Sequence, residues 1–257
     1  MKSFYLTDVG KVRSHNEDSV IILKNHNNDY LMAVADGMGG HRAGEVASSI
    51  AVTYLSKHFT ETFYNLNKEE AITWINDCVT NINNDIFKYE KGHKECVGMG
   101  TTLVLAILTK DYLLFGNIGD SSGFVIKNRE LHKITIDHSL VNLLVEAGEI
   151  TEEEAKDHPR RNVLMKALGA SPKVDADIFD CEMNIEGILL ASDGLTNLLE
   201  TSKIEDVINS ELEIEERIVS LIQKANNEGG TDNISVAYLE IEKEESGEEC
   251  DNQRSEN

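Results

Sequence analysis

Apolar residues recur along this chain in two rhythms. Short runs rich in Val, Ile, Leu and Tyr, each bounded by turn residues, read as strands: SVIILK (19–24), YLMAVA (30–35), TTLVLAILT (101–109), YLLFGNI (112–118), GFVIKN (123–128), ELHKIT (130–135), GILLAS (187–192) and ISVAYLEI (234–241). Gaps as short as NHNND and KD permit hairpins and not helical crossovers, so the sheets are expected to be largely antiparallel. Spacings of three and four take over at Val46, Ile50, Tyr54 and Leu55, and again at Ile72, Ile75, Val79, Ile82 and Ile86, predicting two helices with one apolar face each. TEEEAKDHP carries a capping box in Thr151 and Glu154, TSKIEDVINS another in Ser202 and Glu205, and IEERIVSLIQKANN ends at Gly229-Gly230. The expected fold class is α+β, a sandwich of two antiparallel β-sheets with helices on the outer faces.

No Ser/Gly-rich or Pro-rich linker divides the chain. Residues 1–240 therefore read as one domain, and the acid-rich stretch 241–257, almost without large apolar side chains, as a disordered tail. A formal net charge of −22 argues against a nucleic-acid partner, because phosphates would be repelled where binding draws on Lys and Arg. An anionic substrate would need a local reversal of that field. Cys78, Cys96, Cys181 and Cys250 stand far apart without C-x-x-C spacing, which points to reduced thiols and away from a zinc cluster. The start lacks a signal-like apolar core and no apolar run approaches spanning length, so a cytoplasmic monomer with no membrane insertion is expected.

ADGMGGHRAGE, residues 35–45, sets an acid, glycines and a histidine after an apolar run. A phosphate-cradling loop, a metal-binding turn and a plain tight turn all suit it. The first falls, since no Lys-Ser/Thr follows the glycines. Asp36 after YLMAVA, Asp193 after GILLAS, Asp120 after YLLFGNIG and Asp232 before ISVAYLEI repeat one arrangement, a carboxylate at a strand end. Gathered at one sheet edge they would repel, and divalent cations remove that conflict; an all-oxygen donor set selects Mg²⁺ or Mn²⁺ over zinc. Gly37 would then be free to turn its carbonyl toward an ion. The competing reading is that Asp-Gly pairs are ordinary turns. In GKVRSHNED, residues 10–18, Arg13 offers a planar fork to a phosphate, and Glu17 with Asp18 can reach metal-bound waters, unless the run is simply a solvated surface.

RSHNED, ADGMGGHRAGE, GMGTTLVLAIL, GNIGDSS, DHSLVNLLVEAGEITEEEAKDHPRRNVLMKALG, LLASDGLTN and GGTDNISV follow one another here in an order that resembles metal-dependent serine/threonine phosphatases of the protein phosphatase 2C (PPM) type. The likeness spans Met1 to about Glu240 and is greatest to bacterial members that partner membrane-anchored Ser/Thr kinases. It implies two packed antiparallel sheets flanked by helix pairs, with a flap segment and a two-metal centre of Mn²⁺ or Mg²⁺. Asp36 would bridge both ions, Gly37 would give its carbonyl to one, and Asp193 and Asp232 would hold the other. Asp120, with Asp193, would line a third, weaker site, while Asp18 and Glu17 would act through water. Arg13 would bind the substrate phosphate, His41 would be the general acid, and Arg160 and Arg161 of HPRRN would lie in the flap. The implied reaction is hydrolysis of phosphoserine and phosphothreonine in proteins by direct attack of a metal-bridging water or hydroxide, reversing a bacterial kinase. No covalent intermediate is needed, and no C-x₅-R signature is present. Ser122 stands where many members have arginine, and Thr196-Asn197 where many have Trp-Asp.

Overall fold

The computed structural model describes residues 1–40 and 42–241. In chain order the elements are β1 (Lys2–Asp8), β2 (Asp18–Lys24), β3 (Tyr30–Met38), α1 (Ala43–Thr62), α2 (Lys68–Gly92), β4 (Gly100–Thr101), β5 (Leu103–Leu108), β6 (Leu113–Ile118), β7 (Ser122–Lys127), β8 (Glu130–Lys133), α3 (Leu140–Glu146), α4 (Glu152–Lys156), β9 (Asp177–Cys181), β10 (Gly187–Ala191), α5 (Asp193–Thr196), α6 (Thr201–Ile208), α7 (Ile214–Asn227) and β11 (Ile234–Glu240). One sheet runs β1-β11-β10-β7-β8 and the other β2-β3-β5-β6-β9, with β4 beside the end of β3. All of these pairings are antiparallel, as the short connections require.

Both faces of the central strands are covered, which explains why the sequence shows continuous apolar runs where a one-sided sheet would alternate. On β3, Leu31, Ala33 and Ala35 pack toward α1 and α2, while Tyr30, Met32 and Val34 fill the space between the sheets with Phe115, Leu190 and Leu239. The other sheet turns Leu189, Ala191, Val236 and Tyr238 toward the α5–α7 layer. The result is the four-layer sandwich flanked by helix pairs that the resemblance implies. The flap is the excursion between β8 and β9, and neither α3 nor α4 buries a single residue.

Four local readings change. On α1 only Leu55 of the four positions read from spacing is fully buried; the core-facing stripe is Ala47, Ser48, Ala51, Leu55 and Phe59. Small residues let this helix lie directly on β3, where a Cβ on Gly37 would stand 2.2 Å from the Gly44 carbonyl oxygen. Ser202 caps nothing: α6 begins at Thr201 without a side-chain cap, and the Glu205 carboxylate instead accepts from the Leu131 N–H at 2.8 Å. The Thr151–Glu154 box is present. TTLVLAILT is interrupted at Thr102, whose N–H bonds the Asp36 carbonyl at 2.9 Å. β1 and β9 are strands that no run in the sequence announces.

Cys78, Cys96 and Cys181 are free thiols. Burial pushes Cys78 up to about 12 and Cys181 up to about 11, so neither is a nucleophile near neutral pH. Among the described residues no helix is long and apolar enough to cross a membrane. Cys250 and residues 242–257 of the expected tail lie outside the described residues.

Candidate active site

The two sheets bring the predicted acids to one edge of the sandwich. Asp18 opens β2 directly opposite Asp36 on β3, which lies within the strand and not at its very end. Asp193 begins α5 just beyond β10, Asp120 sits in the β6–β7 turn, and Asp232 in the turn before β11. Each enters the field of the others. Burial, followed by the charges of Asp18, Asp193, Asp120 and Asp232, holds the Asp36 carboxyl well above the usual carboxylate range. Burial also lifts Asp18 to about 7, helped by Asp193 and Asp232 and opposed by the nearby Ser235 and Ser192 hydroxyls, of which Ser192 donates to it. Asp120 is likewise raised to about 7, by burial first and then by Asp193 and Asp137. Asp193 is raised by burial and Asp232, offset by a bond with Asp36 and by the nearby Arg13. Glu17 is raised by burial, offset by Arg13 and the Gly44 N–H. Arg13 itself donates to Asp232 Oδ2 at 2.7 Å.

Three carboxylate oxygens of this group, Glu17 Oε1, Asp18 Oδ1 and Asp193 Oδ1, are buried without a hydrogen-bond partner among the described residues. Buried carboxylates are normally paired or bound to metal. The donor set is all oxygen, as hard divalent cations prefer, so the residues fit such ions. Among the described residues no group of three or more acid, histidine or cysteine side chains stands together so as to hold a metal ion; mutual charge and shared burial are what define the cluster.

Further residues of the same motifs position the acids. Asn233 is buried; its Nδ2 donates to the carbonyls of Val9 and His15 at 2.9 Å each, and its Oδ1 accepts from the Glu17 N–H at 2.8 Å. It thereby pins the loop carrying Arg13 and Glu17 to the turn carrying Asp232. Ser192 Oγ donates to Asp18 Oδ2 at 2.8 Å, joining the two sheets across the site. Thr102 Oγ1 accepts from the Asp36 N–H at 3.0 Å, and Thr101 Oγ1 donates to the Asp36 carbonyl at 2.9 Å. Asn197 donates to Asp193 Oδ2 at 3.0 Å, so the departure from Trp-Asp supplies a support for that acid. Ser122 is fully buried opposite Ala191, its hydroxyl unpartnered among the described residues.

Asp120 and Asp193 line a cleft of about 910 Å³ together with Lys156 and Arg161 of the flap. The Arg161 guanidinium donates to the Lys156 carbonyl at 2.8 Å. Arg160 does not line this cleft. His41 lies outside the described residues. A separate hollow of about 640 Å³ between α1 and α2, lined by Tyr54, His58, Tyr89 and His93, contains none of the clustered acids.

The sequence profile of the family described as Protein phosphatase 2C matches residues 11–232. The chain is 43% identical over 241 residues to serine/threonine phosphatase stp of Listeria welshimeri, covering 93% of this chain and 96% of that one. It is 36% identical over 247 residues to protein phosphatase PhpP of Streptococcus pneumoniae, covering 95% and 99%. The crystal structure of serine/threonine phosphatase Stp1 from Staphylococcus aureus superposes with a TM-score of 0.89 at 37% identity, covering 94% of this chain and 95% of that one.

Proposed function

We propose, for a chain that belongs to the protein phosphatase 2C family and is a protein serine/threonine phosphatase, that Asp36, Gly37, Asp193, Asp232, Asp120 and Asp18 hold the Mn²⁺ or Mg²⁺ of this metal-dependent family. Two ions when bound, and a weaker third beside Asp120, would neutralise phosphoryl oxygens and activate water for in-line attack without a covalent intermediate. The chain's own groups do the rest. Asp18 and Asp36, fixed opposite each other by the β2–β3 register, keep their carboxylates aimed into the same space. Glu17 stands beside them to hold water. Arg13 presents an exposed planar fork at the rim and meets the phosphate of phosphoserine or phosphothreonine bidentately. His41 gives a proton to the departing alkoxide, a group too basic to leave unaided near neutral pH. Arg161, which lines the same cleft as Asp193, contacts the substrate polypeptide. The activity reverses that of a bacterial Ser/Thr kinase, in the cytoplasm and as a monomer.

What carries this reading is the set of buried carboxylate oxygens left without partners among the described residues, in a cluster of acids that raise one another. Isothermal titration with Mn²⁺, alongside phosphate release from a phosphothreonine peptide with Mn²⁺ and with EDTA, tests it. Asp36→Asn and Asp193→Asn should lose both metal binding and turnover. Wild-type turnover of either at saturating Mn²⁺ refutes the ligand assignment. His41→Ala should slow the peptide far more than nitrophenyl phosphate, whose leaving group needs no proton; equal slowing removes the acid role.

A further inference from the structure

The turn that presents Asp120 is held by a residue outside the acid cluster. Gly119, with φ of +107°, packs so that an added Cβ would stand 2.5 Å from Thr102 Cγ2. Its peptide is gripped on both sides by His138. The His138 N–H donates to the Gly119 carbonyl at 2.8 Å, and the Gly119 N–H donates to His138 Nδ1 at 3.0 Å. A ring nitrogen facing an N–H must offer its lone pair, so the imidazole proton sits on Nε2. Nε2 donates to Asp177 Oδ2 at 3.1 Å, and Lys166 Nζ donates to Asp177 Oδ1 at 2.6 Å. Burial would lift the Asp177 carboxyl, but the bonds from Lys166 and His138 outweigh it and hold it below the usual range.

The same residues close the neck of the flap. His138 stands where the excursion leaves the sheet, and the Met165 N–H returns to the His138 carbonyl at 2.8 Å, with Leu140 N–H on the Val163 carbonyl at 2.8 Å. The His138 side chain is only 14% exposed. Lys166, next in sequence to Met165, reaches the same Asp177 that orients the ring.

We propose that His138 is a positioning residue for the phosphatase reaction: its ring, kept in the Nε2–H tautomer by Asp177, clamps the Gly119 peptide, and so ties the placement of Asp120 to the neck of the flap. The proposal rests on the reading of Asp120 as a site residue. Its logic separates two amides of similar polarity. Asn places an acceptor near the position of Nδ1, whereas Gln places a donor near that of Nε2.

The test compares His138→Asn with His138→Gln in the full chain, read by phosphopeptide turnover against Mn²⁺ concentration and by amide hydrogen exchange at Gly119. His138→Asn should keep Gly119 protected and most of the turnover. His138→Gln should speed exchange at Gly119 and raise the Mn²⁺ needed for half-maximal rate by about tenfold, the scale seen when outer groups orienting metal ligands are lost. Ring ¹⁵N spectra of the wild type should show a bare Nδ1 and a protonated Nε2. Equal losses in Asn and Gln, unchanged exchange at Gly119 in His138→Gln, or a protonated Nδ1 each overturn the proposal. If His138→Gln does not fold, Asp177→Ala asks the same question, since it frees the ring to take the opposite tautomer; unchanged exchange at Gly119 overturns the proposal. Should Asp120→Asn leave turnover and Mn²⁺ response untouched, the reading of Asp120 fails, while Gly119 exchange still reports the clamp itself.

Discussion

Replacing Asp18 by Asn should stabilise the metal-free protein while crippling its response to metal. Asp18 is 8% exposed, so its charge gains little from solvent. Its carboxyl ionises near 3.8 when unfolded and at about 7 when folded, a rise of about three units. At about 1.4 kcal/mol per unit, the ionised form costs the fold at most about 4 kcal/mol. The sign follows from proton counting. Between the two values the folded chain holds a proton that the unfolded chain has released, so stability falls as pH rises through that window and the full penalty applies above it. Asn carries no charge and still offers the Ser192 hydroxyl an acceptor. With EDTA present, Asp18→Asn should gain about 2–4 kcal/mol above about pH 8, or about 5–15 °C in Tm for a chain of this size, and nothing below about pH 4. With saturating Mn²⁺ the order should invert, because the wild type binds the ion more tightly and draws stability from it. Scanning calorimetry across pH, with and without Mn²⁺, measures all of this. A gain of equal size at both pH extremes would show that packing and not charge is at work, and no gain at high pH would refute the reasoning.

Other substitutions separate support from chemistry. Arg13→Ala should cost less than about 1 kcal/mol, because its pair with Asp232 is only half-buried, yet raise KM for phosphopeptide; an unchanged KM and kcat removes it from the site. Asn233→Ala breaks three bonds of a buried side chain and should cost about 3 kcal/mol, with faster exchange at the Glu17 amide; continued protection there would mean the loop is held by something else. Gly37→Ala, whose Cβ would meet the Gly44 backbone at 2.2 Å, should lower stability by about 2–4 kcal/mol. Gly40→Ala, with nothing within 4 Å, serves as its control, and equal Tm losses in the two would contradict the contact argument.

What the sequence could disclose depended on whether the signal was local. Carboxylates that follow apolar runs advertise themselves, because a charge at the end of a buried strand needs a reason, and Asp36, Asp120, Asp193 and Asp232 do converge. Strands covered on both faces, such as β5 and β10, appear as unbroken apolar runs. β1 does not: KSFYLTD alternates exposed and half-buried positions at a sheet edge, and its charged surroundings read as surface. β9, DIFDC, is similarly half-covered. The supports of the site were illegible for another reason. Asn233 acts on Glu17 from 216 residues away, and Ser192 on Asp18 from 174, separations that no spacing rule encodes. Gly37 was legible as necessary, but its visible necessity is the closeness of Gly44 and not an unusual backbone angle.

The pairing of β1 with β11, in register from Lys2 with Glu240 to Asp8 with Ile234, has a bearing on how the molecule is born. A ribosome delivers β1 more than two hundred residues before its hydrogen-bonding partner β11, and such distant pairings are slow to form. Until then Arg13 has no Asp232 and Glu17 no Asn233. A nascent or prematurely terminated product would thus carry most of the acids but not the assembled cluster. The zipper between β1 and β11 makes the assembled acid cluster depend on strands more than two hundred residues apart.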